Sequence, residues 1–238
     1  MKEKNLLAEL AAYLFAHCDS ESGRTPSERE LAEHFSVSRG QIREALAILE
    51  AMRIVERRAK SGIYIDTKQA SVEAMALFAR AGLPLDPVQI YETVELRKIH
   101  EIKAAELACV RATEENFERL REILKESEEQ LDAGRGLAKQ DRDFHLEIVR
   151  ATKNSVFYRV CSVYYVMGEQ RLPVYFNDPE RGRKSHAEHI QIYEALPRRD
   201  GNLAQALMSA HLQGAESYWK DLIDGVGIGD AERKPEQA

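Results

Sequence analysis

Residues 26–49, PSERELAEHFSVSRGQIREALAIL, decide the fold of the first part of the chain. Ser27 and Ser38 each stand three residues before a Glu or a Gln, which is the spacing of a capping box at the start of a helix. After Ser38, apolar residues recur at three- and four-residue steps from position 42 to position 49, and this spacing buries one face of the second helix. The stretch therefore predicts two helices joined by a short turn, the second running from about Arg39 to Met52.

The flanking residues complete a first domain over residues 1–66. Upstream, Leu10 and Leu14 belong to the apolar stripe of a preceding helix. Downstream, the β-prone runs 54–57 and 62–65 flank a basic tip and predict a two-stranded hairpin. A helix–turn–helix followed by such a hairpin is the winged arrangement of a DNA-binding module, in which the second helix of the motif enters the major groove.

Positive charge in this domain is local. The whole chain carries a net charge of −6, which excludes a polybasic nucleic-acid binder, but residues 24–60 contain eight Lys and Arg against six Asp and Glu. Arg39 and Arg43 lie one turn apart outside the apolar stripe, and each can form a bidentate contact with guanine. Two arginines on a helix surface are also a common solvated face, so charge by itself leaves DNA binding open.

The rest of the chain is predicted to be helical. Residues 67–86 form a linker that includes one helix, residues 87–228 form a second domain, and residues 229–238 form a polar tail. The helices of the second domain are placed near 88–112, 114–132, 137–152, 155–172, 180–197 and 199–223. The predicted fold class is mainly α, an N-terminal winged helix-turn-helix followed by a C-terminal all-α antiparallel helix bundle.

Composition excludes several classes of protein. No apolar run approaches the roughly 18 residues that a membrane span needs, and the first residues lack the apolar core of a secretory signal. The three cysteines are scattered and form no C-x-x-C pair, which argues against a disulfide framework and against cysteine-bound zinc. The predicted compartment is the reducing cytoplasm.

The second domain contains a candidate metal site. Asp141 and His145 lie one turn apart on one helical face, and His189 and His211 lie on two later helices that could face it. One carboxylate and three imidazoles suit zinc, manganese, nickel or iron better than calcium. A single Asp and His at this spacing on a helix are more often a surface ion pair, and His189 and His211 could be ordinary partly buried histidines, so the residues by themselves do not establish a metal.

Arg97 is the candidate anchor for an organic acid, because a guanidinium binds a carboxylate with two parallel hydrogen bonds. Glu101 follows four residues later, so a simple salt bridge within the helix is the alternative. We also consider Asn154 and Arg171 as pocket residues. We find no general base with an assignable role, no nucleophile motif and no phosphate-binding glycine loop, so the chain is predicted not to be an enzyme.

Several segments of the first domain form an ordered pattern. They are Pro26-Ser-Glu-Arg-Glu-Leu-Ala32, Val37-Ser-Arg39, Ile42-Arg-Glu-Ala-Leu46, Leu49-Glu50 and the wing from Glu56-Arg-Arg58 to Ser61-Gly62. This pattern resembles the GntR family of bacterial transcription regulators. The resemblance implies operator contacts from Arg29, Ser38, Arg39 and Arg43, and it implies that Gly62 lets the wing approach the minor groove. Gln41 follows Gly40 where the family often has Thr-Pro, and it could read adenine or contact phosphate only.

A second pattern spans roughly residues 70–220. It consists of Glu95-Leu-Arg97, Glu101, Asp141-x-x-Phe144-His145, Asn154, Glu188-His189, Ala195-Leu196, Asp200 and Met208-x-x-His211-Leu212. This pattern resembles the ligand-binding (FCD-type) domain of the FadR subfamily, in its metal-containing form. The resemblance implies a divalent metal, zinc first and nickel, manganese or iron as alternatives, held by Asp141, His145, His189 and His211. His186 has no counterpart in the pattern.

The predicted function follows from both domains. The chain is expected to be a cytoplasmic, homodimeric transcription regulator that binds a short near-palindromic operator and responds to a small carboxylate held by the metal and Arg97. A dimer is expected because a single winged helix contacts too few bases for useful specificity. The alternatives are a metalloenzyme, a hydrolase or oxygenase, fused to a DNA-binding module, and a regulator that responds to the metal itself.

Overall fold

The computed structural model divides the chain into two compact units, Met1–Leu85 and Asp86–Ala238. It describes residues 3–58, 61–65, 71–81, 87–168 and 171–225. The first unit contains a winged helix-turn-helix and the second is a helix bundle, so the predicted fold class is confirmed. Lys60 at the tip of the predicted wing and the tail 229–238 lie outside the described residues.

The first unit is built from four helices and a two-stranded antiparallel sheet. These elements are α1 (Glu3–Ala16), α2 (Glu28–Phe35), α3 (Arg39–Ala51), β1 (Val55–Arg58), β2 (Gly62–Ile65) and α4 (Val72–Arg80). In the sheet, Val55 pairs with Ile65 and Arg58 pairs with Gly62. The buried face of α3 consists of the four apolar residues that the sequence predicts, and it packs against Leu10 and Leu14 of α1 in one core.

Both predicted capping boxes are present, and they fix where α2 and α3 begin. The Ser27 hydroxyl accepts from the Glu30 amide, while the Glu30 carboxylate accepts from the Ser27 amide at 2.8 Å. Ser38 and Gln41 form the same arrangement at the start of α3. Ser36 adopts a left-handed conformation with φ 53° and ends α2. The resulting tight turn leaves the first turn of α3 on the surface.

Helix α4 lies within the stretch 67–86 that the sequence predicts as a linker. In the structure its Ala74 and Phe78 are buried in the core of the first unit, and the Phe78 ring meets Phe15 of α1 edge-on at 5.0 Å. The helix is therefore part of the first unit rather than a separate connector. Tertiary packing of this kind is not encoded in the local periodicity that predicted the helix.

The second unit is entirely helical in its described part. Its helices are α5 (Pro87–Arg111), α6 (Glu114–Asp132), α7 (Ala138–Ala151), α8 (Ser155–Met167), α9 (Arg171–Tyr175), α10 (Pro179–Ala195) and α11 (Gly201–Gly225). The predicted helix 155–172 is wrong at its end, because α8 stops at Met167 with Gly168 as its C-cap. Pro173 lies in the first turn of α9, where its missing N–H costs no helical hydrogen bond.

The centre of the bundle is a seam of small residues. Ala104, Ala105 and Ala108 of α5 are fully buried in one core cluster with Ala204 and other residues of α11. Such residues let two helix backbones approach closely and pack densely. Helix α7 lies against α5 and α6, and α10 lies against α6 and α11. This packing directs one face each of α5, α7, α10 and α11 toward the same interior region.

All three cysteines are free thiols. Cys109 and Cys161 are buried in the bundle core, whereas Cys18 is only partly buried in the first unit. Burial raises the pKa of the Cys109 thiol and raises that of Cys161 to about 12. None of the described helices is long and apolar enough to cross a membrane.

Candidate metal centre and DNA-binding surface

Four side chains from three helices meet inside the bundle. Asp141 and His145 lie one turn apart on α7, and His189 of α10 and His211 of α11 reach the same point. Asp141, His145 and His189 are buried, with exposed fractions of 3%, 0% and 2%. One ligand atom from each of the four residues lies within 4.8 Å of all the others.

The three imidazoles converge through their Nε2 atoms. The distance between Nε2 of His145 and Nε2 of His211 is 3.1 Å, and His189 Nε2 lies 3.2 Å from each of them. Asp141 Oδ1 lies 3.6 Å from His145 Nε2 and 3.5 Å from His189 Nε2. The arrangement is thus a compact cluster of three nitrogens and one carboxylate oxygen.

Two carboxylates lie on the outside of the cluster, each beside the Nδ1 atom of one histidine. Glu101 Oε2 lies 2.6 Å from His145 Nδ1, and Glu188 Oε2 lies 2.8 Å from His211 Nδ1. A carboxylate accepts hydrogen bonds only, so we assign the ring proton of His211 to Nδ1, and its Nε2 atom carries a lone pair that points into the cluster. The contact between Glu101 and His145 does not have hydrogen-bond geometry, and both atoms are buried without another partner.

The spacing of the nitrogens fits a metal cation. Metal–nitrogen bonds of about 2.0–2.1 Å place two ligand nitrogens about 3.3–3.4 Å apart in a tetrahedral site and about 2.8–3.0 Å apart in an octahedral one. The observed 3.1–3.2 Å falls between these values. A carboxylate behind a metal-binding imidazole is also the usual second layer of such sites. The residues therefore fit a divalent transition metal.

The surroundings set the charge of the ligands. Burial by itself raises the pKa of the Asp141 carboxyl, but the charges of His145 and Arg97 outweigh it and the pKa falls well below its usual range. Burial also lowers the pKa of His189 strongly and that of His211 more mildly, whereas for His145 burial is outweighed by the charge of Glu101 and the pKa is raised. An ionised carboxylate and neutral imidazoles are the forms that bind a metal, so a metal would displace the proton of His145.

Glu101 is a central residue whose full role the sequence did not reveal. Its Oε1 accepts from Arg97 Nε at 2.9 Å and from the Tyr165 hydroxyl, and its Oε2 faces His145. Burial raises its pKa, but the charges of Arg97 and His145 hold the pKa far below its usual range. From the sequence, pairing with Glu101 and anchoring of an acid are alternative roles for Arg97. In the structure Arg97 makes the ion pair with Glu101 and also lines a cavity.

This cavity has a volume of about 40 Å³, and none of the four cluster residues lines it. It is lined by side chains of α5, α8, α9 and α11 together with Gly168, among them Arg97, Tyr164, Tyr165, Arg171, Leu212 and Trp219. Arg97 links the two sites, since its Nη2 lies 3.7 Å from Asp141 Oδ2 and has no hydrogen-bond partner. A buried guanidinium N–H without a partner is costly and indicates a place for a further acceptor.

Asn154 is a correction to the predicted pocket. It is exposed, and its side-chain oxygen accepts from the amides of Val156 and Phe157, so it caps α8. Asn is a favoured N-cap residue because its short side chain satisfies the free amides of the first turn. Arg171, by contrast, does line the cavity, and His186 lies outside the cluster of four ligands.

The predicted DNA-contacting residues lie on the exposed surface of the first unit. Arg29, Ser38, Arg39, Gln41 and Arg43 are all exposed. Arg43 Nε is paired with Glu28 Oε2 at 2.7 Å, and Arg29 Nε lies 3.9 Å from Glu33 Oε1. Arg39 has no ion pair with any residue in the described part of the chain, so its guanidinium group is available for hydrogen bonds with a base edge.

Two further residues of this surface are constrained by the backbone. Gln41 Oε1 accepts from the Ser38 amide at 3.1 Å, so a bidentate contact with adenine, which needs this oxygen as well as the NH₂ group, would disrupt the capping box. Gly62 has φ +130°, and a Cβ atom there would lie 3.3 Å from Arg24 Nε. The wing therefore requires glycine at this position.

Comparison with known proteins agrees with both units. Residues 22–65 match the family "Bacterial regulatory proteins, gntR family", and residues 92–214 match the FCD domain. The chain is 32% identical to the HTH-type transcriptional regulator LutR of Bacillus subtilis over 204 residues, which cover 84% of this chain and 90% of LutR. It is 30% identical to the Uxu operon transcriptional regulator of Escherichia coli K12 over 200 residues, covering 81% and 77% of the two chains.

Solved structures share the fold. The structure of Lar, which controls the expression of the Listeria monocytogenes agr system, aligns with a TM-score of 0.66 at 19% identity and covers 93% of this chain and 98% of its own. E. coli McbR/YncC aligns with a TM-score of 0.53 at 17% identity, covering 92% and 95%.

A winged helix-turn-helix joined to an FCD domain defines the class of DNA-binding transcription regulators. Within this class, the chain belongs to the GntR family of bacterial regulators and to its FadR subfamily. Its relatives are regulators rather than enzymes, which confirms the prediction that the chain is not an enzyme.

Proposed function

We propose that this regulator changes its affinity for operator DNA when a small organic acid binds at a metal site in the bundle. The observation that supports this proposal is the convergence of three imidazole Nε2 atoms and Asp141 beside a cavity lined by Arg97. Zinc is the metal we propose first, and nickel, manganese and iron suit the same donors. The protein would act on DNA in the bacterial cytoplasm.

The metal, held by Asp141, His145, His189 and His211, would supply positive charge and a coordination position for the acid. Arg97 would contribute charge-assisted hydrogen bonds from the side, since its Nη2 lacks a partner. Together they would compensate a buried carboxylate that neither could hold by itself. Binding of the acid would then shift the population of conformations toward those with altered operator affinity.

We further propose that the regulator acts as a homodimer on a near-palindromic operator. Exposed apolar side chains on α5 and α8 support this proposal, since Ile99 is 64% exposed, Val156 69% and Val160 46%. Val156 and Val160 lie one turn apart on α8 and so share a face, and neighbouring exposed apolar side chains indicate an interaction site. Operator contacts would come from Arg29, Ser38, Arg39, Gln41 and Arg43 and from the wing around Gly62.

Replacing Arg39 or Arg43 by Ala is expected to weaken operator binding by about 1–3 kcal/mol each, which is the contribution of a bidentate base contact. Neither side chain belongs to the core, so the fold should be unchanged. Fluorescence anisotropy with the operator at several salt concentrations measures the effect. Arg80→Ala, which removes an exposed arginine of α4, is the matched control. Unchanged affinity in both α3 variants would refute α3 as the recognition helix.

Arg97→Lys is expected to abolish the response to the acid while the protein stays folded. The substitution keeps a buried positive charge beside Glu101 and Asp141, but it removes the planar guanidinium group that binds a carboxylate with two hydrogen bonds. Arg97→Ala is a poorer test, because it would leave two buried carboxylates without their counter-charge. The measurement is operator affinity of the metal-loaded protein with and without a responsive acid. A variant that responds like the wild type contradicts the anchor role, and a response to metal alone would support a metal-responsive regulator.

A further inference from the structure

Arg171 is one of three cationic side chains that line the cavity, and no described carboxylate balances its charge. It lies at the start of α9 and lines the same cavity as Arg97. No carboxylate of the described residues lies within 4.0 Å of its guanidinium, although the bundle contains many other arginines that do have such a partner. The environment is also unfavourable, since burial lowers the pKa of Arg171 and the nearby charge of Arg97 lowers it further.

The other cations of the cavity differ in this respect. Lys98 is neutralised by Glu216 at 2.6 Å and also donates to Gln213 at 3.0 Å. Arg97 is neutralised by Glu101 at 2.9 Å. Arg171 is therefore the cation of this cavity that the described residues leave without a counter-charge.

The contacts that Arg171 does make are weak. Its Nη2 donates to the Met167 carbonyl at 3.4 Å, and its guanidinium carbon lies 6.0 Å from the centre of the Trp219 ring. Both distances are at the outer limit of such interactions. They orient the side chain toward the cavity, but they supply no negative charge.

We propose that the effector is a short dicarboxylate, whose first carboxylate binds at the metal and Arg97 and whose second carboxylate pairs with Arg171. This inference rests on the proposed function of the site and adds the chemical class of its ligand. Tyr164, which lines the cavity beside the two arginines, can donate its hydroxyl hydrogen bond to the same anion. A second carboxylate would supply the counter-charge that Arg171 lacks.

The size of the cavity limits the length of this acid. A volume of about 40 Å³ corresponds to roughly three water molecules, since each needs about 10–15 Å³ on the same measure. So small a space favours the shortest dicarboxylates over longer ones, and malonate and succinate are therefore the acids to test first.

Matched pairs of acids test the proposal on the metal-loaded full-length protein. Succinate is compared with butyrate, and malonate with propionate, because each pair has the same carbon number and differs in one carboxylate. Affinities are measured by calorimetry for the wild type, for Arg171→Met and for Arg183→Met. Arg183 is an exposed arginine of α10, so its replacement removes the same charge from the bundle without touching the cavity.

The wild type is expected to bind at least one dicarboxylate tenfold or more tightly than its monocarboxylate partner, since a hydrogen bond between charged groups is worth about a factor of ten or more. Arg171→Met should lose this preference, because its affinity for the dicarboxylate falls tenfold or more while its affinity for the monocarboxylate falls less. Unchanged metal content and an unchanged circular-dichroism spectrum show that the variant is folded. Arg183→Met should behave like the wild type for all four acids.

Three results would overturn the proposal. The first is equal wild-type affinity within each pair. The second is a preference for dicarboxylates that persists in Arg171→Met, which would mean that the metal holds both carboxylates. The third is an equal loss of affinity for the dicarboxylate and the monocarboxylate in Arg171→Met. Failure of the proposed function looks different, because then none of the acids binds, or Arg97→Lys binds them as the wild type does.

Discussion

Replacing His145, His189 or His211 by Ala should each lower the affinity for a divalent transition metal by about 100-fold or more. Even residues behind the ligands usually contribute 10–100-fold, and each of these imidazoles points its Nε2 atom into the cluster. Elemental analysis of the purified wild type should find about one ion per chain, and the variants should contain far less. Metal removal by a chelator should also lower the melting temperature of the wild type, because an ion that binds only the folded state stabilises it.

His186→Ala is the matched control for these variants. His186 lies on α10, three residues before His189, and its buried Nδ1 has no hydrogen-bond partner, but it is not part of the four-residue cluster. Its replacement should leave metal content unchanged. Equal metal content in all four variants would refute the site, whereas loss in His186→Ala as well would indicate a general disruption of α10.

Glu101→Gln should destabilise the protein by about 3–5 kcal/mol, which is the usual effect of removing one partner of a buried ion pair. The substitution preserves the shape of the side chain but leaves the Arg97 guanidinium buried without its nearest counter-charge. Urea denaturation of the metal-free protein measures the free energy of unfolding without a contribution from metal binding. The double variant Arg97→Met/Glu101→Gln should recover much of the loss, since it removes both charges.

Glu106→Gln provides the comparison on the same helix. Glu106 pairs with Lys103 at 2.7 Å, but both side chains are partly exposed, and such pairs contribute about 1 kcal/mol or less. A loss in Glu101→Gln no larger than that in Glu106→Gln would show that the network around Arg97 does not stabilise the bundle. Failure of the double variant to recover would point to Glu101 contacts other than the one with Arg97.

Local signals in the sequence predicted the first unit well. The capping boxes at Ser27 and Ser38 and the apolar stripe of α3 depend on residues within four positions of one another, so the sequence displays them directly. The packing of α4 depends on contacts with α1 more than fifty residues away, and periodicity does not report such contacts. The early end of α8 at Met167 was missed because Pro173 suggested a later boundary.

For the candidate site, too, the sequence predicted some residues and missed others. Spacing and family resemblance named the four residues that meet in the cluster, but the outer carboxylates Glu101 and Glu188 come from other helices than the histidines they contact. Only the fold brings them within hydrogen-bond distance. Asn154 was predicted as a pocket residue because it occupies a position in the family pattern. In the structure it caps α8 on the surface, and its position in the pattern did not distinguish the two roles.

The unequal burial of the cysteines has a practical consequence for studying the regulator. Thiolates react with maleimides and similar reagents, so a buried thiol with a raised pKa reacts slowly. Cys109 and Cys161 are of this kind, whereas Cys18 is partly accessible and lies in the unit that carries the helix-turn-helix. The natural chain thus offers a single preferred attachment point for a fluorescent or spin label on its DNA-binding unit. In the proposed homodimer, spectroscopic distances between the two labels on and off the operator become accessible without cysteine substitutions.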